Sequence, residues 1–194
     1  MKLILIRHGM TEANEKHLYC GSTDLPLSEA GRAALIGRKD MMEYPDIFGF
    51  RIVTSGMKRC VETLILLYGD RPQESVPAFR EMDFGIFEMR SYEQMKNDPA
   101  YIAWIGGDNE ANIAPGGESG NTMTARVLSA LDGLIADGHD TLLVTHGGVI
   151  AAIMSRLFPE ESKNRYEWQP SPGGGYVINL PDEKSREKSY ARIE

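Results

Sequence analysis

The residues of this chain that could carry chemistry are two histidines, each followed by glycine, as His8-Gly9 and His146-Gly147. Arg7 stands immediately before His8, and its fixed positive charge disfavours protonation of a neighbouring imidazole. Neutral imidazole is a nucleophile, whereas imidazolium is not. The pattern therefore makes His8 a candidate nucleophile and His146 a candidate partner at the same ligand.

A second arginine could join the first at an anionic group. Arg59 lies near the start of a predicted helix, and together with Arg7 it offers two planar guanidiniums, which bind phosphate oxygens in pairs. Glycines at positions 9, 147 and 148 would let backbone amides approach the same anion. These residue types predict a site for a phosphoryl group.

The same residues do not predict a metal site. The chain has four histidines and two cysteines, and neither an HExxH nor a CxxC spacing occurs. We therefore expect chemistry without a metal or other cofactor. His17 and His139 are expected in solvated loops, and Cys20 and Cys60 as reduced structural thiols.

The two histidines need elements that bring them together, and the hydrophobic pattern predicts such elements. The apolar runs at 2–6 and 140–145 are predicted to be buried strands that end directly before Arg7-His8 and His146. Because ligands bind at the carboxyl ends of the strands in open α/β sheets, both histidines should face one ligand. Further strands are predicted at 50–54, 74–78 and 173–180, and helices at 28–43, 57–68, 92–105, 121–136 and 147–158.

This alternation predicts one α/β domain over residues 1–194, with a mostly parallel sheet sandwiched by helices. Residues from about 79 to 119 are rich in Gly and Pro and contain one predicted helix with Pro99 inside it, which indicates a cap segment over the site. Tyr92, Tyr101 and Trp104 fit the core or the lining of this cap. Residues 181–194 are predicted to be a charged tail, after a last strand at 173–180.

Composition limits the classes of partner. With 21 basic and 28 acidic residues the net charge is -7, which argues against nucleic acid and anionic membrane as partners. The apolar run from Leu3 to Ile6 is far shorter than the roughly 7–15 residues of a secretory signal, and we expect a cytoplasmic protein. The expected partner is a small phosphate ester, and the sequence does not predict an oligomeric state.

Six short motifs follow one another along residues 3 to about 155: LIRHGMTEAN at 5–14, GSTDLPLSEAG at 21–31, TSGMKRCVET at 54–63, REMDFG at 80–85, PGGES at 115–119 and VTHGG at 144–148. In this order they resemble the histidine phosphatase superfamily, in its phosphoglycerate mutase-like branch. The resemblance implies the fold of that branch. It also implies a reaction in which a phosphoryl group passes through a histidine.

The resemblance assigns roles to five residues. His8 is implied to be the phosphorylated nucleophile, with Arg7, Arg59 and His146 around the phosphoryl group. Glu81 is implied to be the general acid and base. Protonated Glu81 would donate to the leaving oxygen, and ionised Glu81 would then activate water.

Other roles implied by the resemblance are less direct. Asn14, Thr23 and Gly147 are expected to bind the substrate, although Asn14 could simply cap a turn. For Glu118 we favour a structural role over contact with substrate. Only the resemblance selects Glu81 from the carboxylates of this region, which include Asp83 and Glu88.

Hydrolysis is favoured over isomerisation, because family mutases carry a basic Arg-His pair where this chain has Met82-Asp83. We expect a metal-independent phosphomonoesterase that acts on a small organic phosphate. The motifs at 83–85 and 116–119 resemble α-ribazole phosphatases and broad-specificity phosphatases. A cofactor-dependent phosphoglycerate mutase, a phospho-ligand binding protein and a protein phosphatase are the alternatives.

Overall fold

A computed structural model describes residues 1–108, 110–181 and 187–194, and a β-sheet forms its centre. In these residues the sheet has six strands in the order β3-β2-β4-β1-β5-β6. Strands β1 to β4 run parallel, whereas β5 pairs antiparallel with β1 and β6 antiparallel with β5. The strands are β1 (Lys2–Arg7), β2 (Arg51–Thr54), β3 (Glu74–Ser75), β4 (Thr141–Thr145), β5 (Gly175–Asn179) and β6 (Ser189–Ile193).

Helices connect the strands, and their ends follow the capping signals of the sequence. Ser28 and Ser119 cap two of them by accepting a backbone hydrogen bond, and Gly138 ends the second in the left-handed conformation, with φ of 71°. The helices are α1 (Glu12–Glu15), α2 (Glu29–Met41), α3 (Lys58–Tyr68), α4 (Tyr92–Met95), α5 (Pro99–Ile105), α6 (Gly120–Asp137), α7 (Gly147–Leu157) and α8 (Arg165–Trp168), with 3₁₀ turns at Pro77–Phe79, Gly85–Phe87 and Pro159–Glu161.

The central strand β1 is apolar on both faces because both faces are covered by helices. Leu3 and Leu5 join a core that includes side chains of α6 and α7. Ile4 and Ile6 join a second core on the opposite face, with side chains of α2 and α3. This arrangement confirms the predicted α/β class with a mostly parallel sheet between helices.

Two predicted elements are wrong at prolines. The single helix predicted over 92–105 is two helices, because the Asp98 side chain accepts a hydrogen bond from the Ala100 amide and Pro99 begins a new helix. The strand predicted at 74–78 has only two residues, Glu74–Ser75, since Pro77 starts a 3₁₀ turn. In both cases the missing amide hydrogen of proline fits a first turn better than an element's interior.

The last predicted strand is followed by another. Ser189–Ile193 lies within the predicted charged tail and forms β6, in which Ile193 is buried. Tyr190 of β6 packs against Phe158, with ring centroids 4.7 Å apart, and against Trp168, at 5.5 Å. Residues 182–186 of the predicted tail lie outside the described residues.

The segment at 79–108 begins beside the carboxyl end of β4, where the Thr145 hydroxyl donates to the carbonyl of Phe79, and it packs through aromatic side chains. Tyr101 and Trp104 are buried against Phe87, with ring centroids 5.5 and 5.1 Å from it, whereas Tyr92 is exposed. Tyr101 therefore belongs to the core of this segment, and Tyr92 lies on its surface.

Within the described ranges, none of the helices is both long enough and apolar enough to cross a membrane.

Candidate active site

The sheet register brings the two predicted histidines together. Arg7 of β1 lies beside Thr145 of β4, so His8 and His146 leave neighbouring strands at the same edge. Their ring centroids are 5.1 Å apart, and both side chains are buried. The amide of His8 also donates to the carbonyl of Thr145 at 2.9 Å, which ties the two strand ends together.

The hydrogen bonding of His8 defines its reactive nitrogen. Nδ1 lies 2.6 Å from the carbonyl oxygen of Gly9, so Nδ1 carries the proton and donates it there. Nε2 then keeps its lone pair. Burial lowers the pKa of His8 well below its ordinary value, and the charges of Arg59 and Arg7 act in the same direction, whereas the bond to Gly9 opposes them. The ring is thus a neutral imidazole, as the sequence predicts.

Arg59 is a buried cation that organises the floor of the site. From α3 its Nη1 and Nη2 donate to the carbonyls of Thr23 and Gly21, both at 2.8 Å, and its Nε donates to Nδ1 of His146 at 3.3 Å. Nε2 of His146 therefore carries the ring proton, and it lies 2.9 Å from Oγ of Ser55. The pKa of His146 is well below its ordinary value, because of burial first and the charge of Arg59 second.

Arg7 has an unused donor beside these histidines. Its Nη1 donates to the carbonyl of Pro170 at 2.8 Å, but its buried Nε has no partner among the residues described. Burial lowers the pKa of Arg7, and the charge of Glu81 opposes that shift. A buried guanidinium N–H without a partner is costly, and an incoming anion would satisfy it.

Glu81 is held against the start of α7. Its Oε2 accepts from the amide of Gly148 at 2.9 Å, and its Oε1 accepts from the amide of Met82 at 3.0 Å. A Cβ atom at position 148 would lie only 2.4 Å from Oε1 of Glu81, so the carboxylate can approach because residue 148 is glycine. Gly148 thus lets the carboxylate lie against the start of α7, two residues after His146.

The two rival carboxylates are engaged elsewhere. Glu88 accepts hydrogen bonds from the amides of Gly21, Ser22 and Thr23, from the Thr23 hydroxyl and from the Phe84 amide. Asp83 accepts from the Ser22 hydroxyl at 3.0 Å and the Gly85 amide at 2.8 Å. Glu88 fastens the loop whose carbonyls receive Arg59, and sequence reasoning gave it no such role.

A cavity of about 440 Å³ opens beside Glu81. Glu81, Gly148, Arg165 and Gln169 line it together with a wall of apolar and aromatic side chains. Tyr19, Phe84 and Trp104 pack edge to face in this wall, with ring centroids 5.1 to 6.0 Å apart. The full lining is Leu18, Tyr19, Cys20, Glu81, Met82, Phe84, Trp104, Ile105, Met123, Gly148, Arg165, Tyr166 and Gln169.

The residues expected to bind substrate have mixed placements. Gly147 lies against Arg7, since a Cβ there would be 3.2 Å from Cζ of Arg7. The Thr23 hydroxyl donates to Glu88 at 2.6 Å, and Oδ1 of Asn14 accepts from the amide of Thr11 at 2.9 Å as part of a helix cap. The substrate-binding roles of Asn14 and Thr23 therefore remain predictions.

Sequence reasoning missed a clamp behind Glu81. Arg126 of α6 donates to the carbonyls of Ala78, Arg80 and Glu81 at 2.7 to 2.9 Å. The same guanidinium makes two bonds to Glu118, at 2.7 and 2.8 Å. The clamp fixes the backbone from which the Glu81 side chain departs, and it gives Glu118 the kind of structural role that the sequence favoured. One signal was available, since position 126 lies next to the apolar stripe of α6.

Comparison with known proteins places this geometry in a family. Residues 3–192 match the histidine phosphatase superfamily (branch 1). The chain is 31% identical over 187 residues to the adenosylcobalamin/alpha-ribazole phosphatase of Salmonella typhimurium, which covers 93% of this chain and 91% of that one. It is also 29% identical over 178 residues to the 2,3-bisphosphoglycerate-dependent phosphoglycerate mutase of Xanthobacter autotrophicus, which covers 81% of this chain and 83% of the mutase.

A solved structure agrees with the fold. The alpha-ribazole phosphatase from Shigella flexneri superposes with a TM-score of 0.79 at 28% identity, which covers 93% of this chain and 91% of that one. The resemblance drawn from the six motifs is therefore confirmed, together with the phosphoglycerate mutase-like fold that it implies. This chain belongs to the histidine phosphatase superfamily, branch 1, as one of its phosphatases.

Proposed function

We propose that this chain hydrolyses a small organic phosphate monoester through a phosphohistidine at His8. The observation that carries the proposal is the hydrogen bond from Nδ1 of His8 to the carbonyl of Gly9, at 2.6 Å. That bond leaves the lone pair of Nε2 free in a buried site that holds two arginines. A nucleophile of this kind needs no base to activate it.

In the first step, Nε2 of His8 attacks phosphorus, and the bond from phosphorus to the ester oxygen breaks. Protonated Glu81 gives its proton to the departing oxygen, and the product alcohol leaves. In the second step, ionised Glu81 takes a proton from water, whose oxygen attacks the phosphohistidine. Inorganic phosphate is released, and both His8 and Glu81 return to their starting states.

Fixed cations and amides supply the charge stabilisation that phosphoryl transfer requires. The free Nε of Arg7 and the N–H groups of Arg59 that its bonds to Thr23, Gly21 and His146 leave over would bind the equatorial oxygens. Such a set lets the reaction proceed without a metal ion. We accordingly propose a metal-independent enzyme.

The lining of the cavity would fit a substrate whose alcohol group is uncharged and contains a ring. Its wall of Tyr19, Phe84 and Trp104 would pack edge to face against a planar heterocycle. Relatives named alpha-ribazole phosphatases make α-ribazole phosphate our first candidate substrate. The free thiols Cys20 and Cys60 suit a reducing compartment, and we propose a cytoplasmic metabolite as the substrate.

The test is a product analysis on α-ribazole phosphate, p-nitrophenyl phosphate and 3-phosphoglycerate. We expect inorganic phosphate from the first two, and EDTA should not lower the rate. Brief reaction with labelled substrate and an alkaline quench should leave acid-labile phosphate on His8, and none in His8→Ala. Conversion of 3-phosphoglycerate to 2-phosphoglycerate without phosphate release would identify a mutase instead.

A further inference from the structure

One residue of the cavity lining, Arg165, is held in an ion pair by Glu110, which lies outside that lining. Arg165 is the only basic side chain among the described residues that line the cavity, and its Nη1 lies 2.8 Å from Oε1 of Glu110. Both side chains are partly exposed, at 29% and 39%, and a substrate in the cavity would meet Arg165. The cation that could attract an acidic substrate is therefore already paired.

Glu110 is anchored at the start of the 18-residue helix α6. Its carbonyl accepts from the amide of Asn121 at 2.9 Å, and a Cβ at Gly120 would lie 2.1 Å from its Oε2. The carboxylate thus lies against the first turn of α6, where the partial positive charge of a helix N-terminus favours a negative group. An entering carboxylate would have to displace a partner that the fold holds in place.

From this geometry we infer that the Glu110–Arg165 pair determines specificity. It favours phosphate esters whose alcohol group is uncharged over those whose alcohol group carries a carboxylate. The inference rests on the proposed function and names the substrate class for it. An anionic alcohol group would meet Glu81, with Arg165 already neutralised by Glu110. An uncharged ring can pack on the aromatic wall and loses nothing at the pair.

A matched pair of substrates tests this inference. The phosphate ester of methyl 4-hydroxybenzoate and that of 4-hydroxybenzoate have the same ring and differ in one charge. The measured quantity is the ratio of kcat/KM for the methyl ester to kcat/KM for the acid. Comparing that ratio between variants cancels the different leaving-group reactivities of the two substrates.

Glu110→Gln keeps the shape of the side chain and releases Arg165. We expect the ratio to fall about tenfold, mainly through faster reaction of the acid, while kcat/KM for the methyl ester stays within about twofold. Arg165→Gln should move the ratio the other way, because Glu110 is then uncompensated. Glu93→Gln is the control, since this exposed acid of α4 pairs with Lys96, a cation that does not line the cavity.

An unchanged ratio in Glu110→Gln, or movement in the same direction in both variants, would overturn the inference. Calorimetric binding of the two corresponding non-hydrolysable phosphonates gives the same ratio without turnover. Failure of the wild-type protein to hydrolyse the methyl ester would contradict the proposed hydrolysis alone. The ratio of the two phosphonate affinities would still test the role of the ion pair.

Discussion

Of the three neighbouring acidic residues Glu81, Asp83 and Glu88, Glu81 lines the cavity and the other two do not. The carboxylate of Glu81 accepts hydrogen bonds from the backbone amides of Met82 and Gly148, and neither amide can accept a proton from it. A carboxyl group held in this way can exchange a proton with a ligand or with water. This placement supports its proposed role as the proton donor.

Glu81→Gln should therefore have an effect that depends on the leaving group. We expect a loss of roughly 10²–10⁴ in rate on an alkyl phosphate, the usual contribution of general acid–base catalysis. On p-nitrophenyl phosphate the phosphorylation step should lose much less, because nitrophenolate needs no proton to leave. Single-turnover kinetics with both substrates separate the two steps.

Equal losses of phosphorylation rate on the two substrates would reject Glu81 as the donor. Asp83→Asn is the matched control, because it also neutralises one carboxylate in the same segment. In that variant we expect the two substrates to be affected alike.

At the scale of elements, α6 does more than cover the sheet. The guanidinium of Arg126 has five N–H groups. Three of its bonds go to the backbone at 78–81 and two to Glu118. Burial alone would raise the pKa of Glu118, but hydrogen bonds from Arg126 and from the Asp83 amide outweigh it and lower that pKa. Glu118 is therefore ionised and keeps the clamp closed.

Arg126→Lys keeps the charge but cannot make the same set of bonds. Since Arg126 acts through Glu81, we expect kcat on an alkyl phosphate to fall about tenfold or more. Phosphorylation by p-nitrophenyl phosphate should change much less. Arg156→Lys, at an exposed position of α7, is the control in the same assays. A uniform loss on both substrates would contradict the positioning role.

The elements differ in how well the sequence predicts them. Strands β1 and β4 are predicted because their apolar runs are continuous and lead directly to His8 and His146. Strand β6 is not, because its short and mostly exposed sequence has no continuous apolar run and forms a strand by pairing with β5. Glu88 and Arg126 are missed for a related reason, since their partners at 21–23 and 78–81 are distant in sequence. Local patterns find the two paired histidines but not the residues that hold their surroundings.

At the scale of the whole molecule, the buried histidines make stability depend on pH. His8 and His146 have pKa values lowered by burial and by nearby arginines. Below about pH 6.5 the unfolded chain binds protons at these positions and the folded chain does not, so stability falls as pH falls. Each histidine should contribute up to about 1.4 kcal/mol per pH unit to this slope.

Urea unfolding between pH 5 and 7 measures the effect. His8→Gln should reduce the slope of the unfolding free energy against pH by up to about 1.4 kcal/mol per pH unit, the contribution of one histidine. His139→Gln, at an exposed position, should leave that slope unchanged. Identical slopes in the wild type and His8→Gln would show that His8 is not buried as the neutral form.

The pairing of β1 also has a consequence for how the protein is made. Leu3 lies beside Thr141 on one side and Ile178 on the other, so β1 waits after its synthesis for partners that emerge far later. At typical rates of synthesis this interval is on the order of ten seconds. During this interval the apolar segment from Leu3 to Ile6 is exposed to solvent, because the residues that bury it in the folded protein have not yet been made. Chaperone capture of the nascent chain is the expected way for a cell to bridge that delay, because β1 gains both of its neighbours only after β5 has been made.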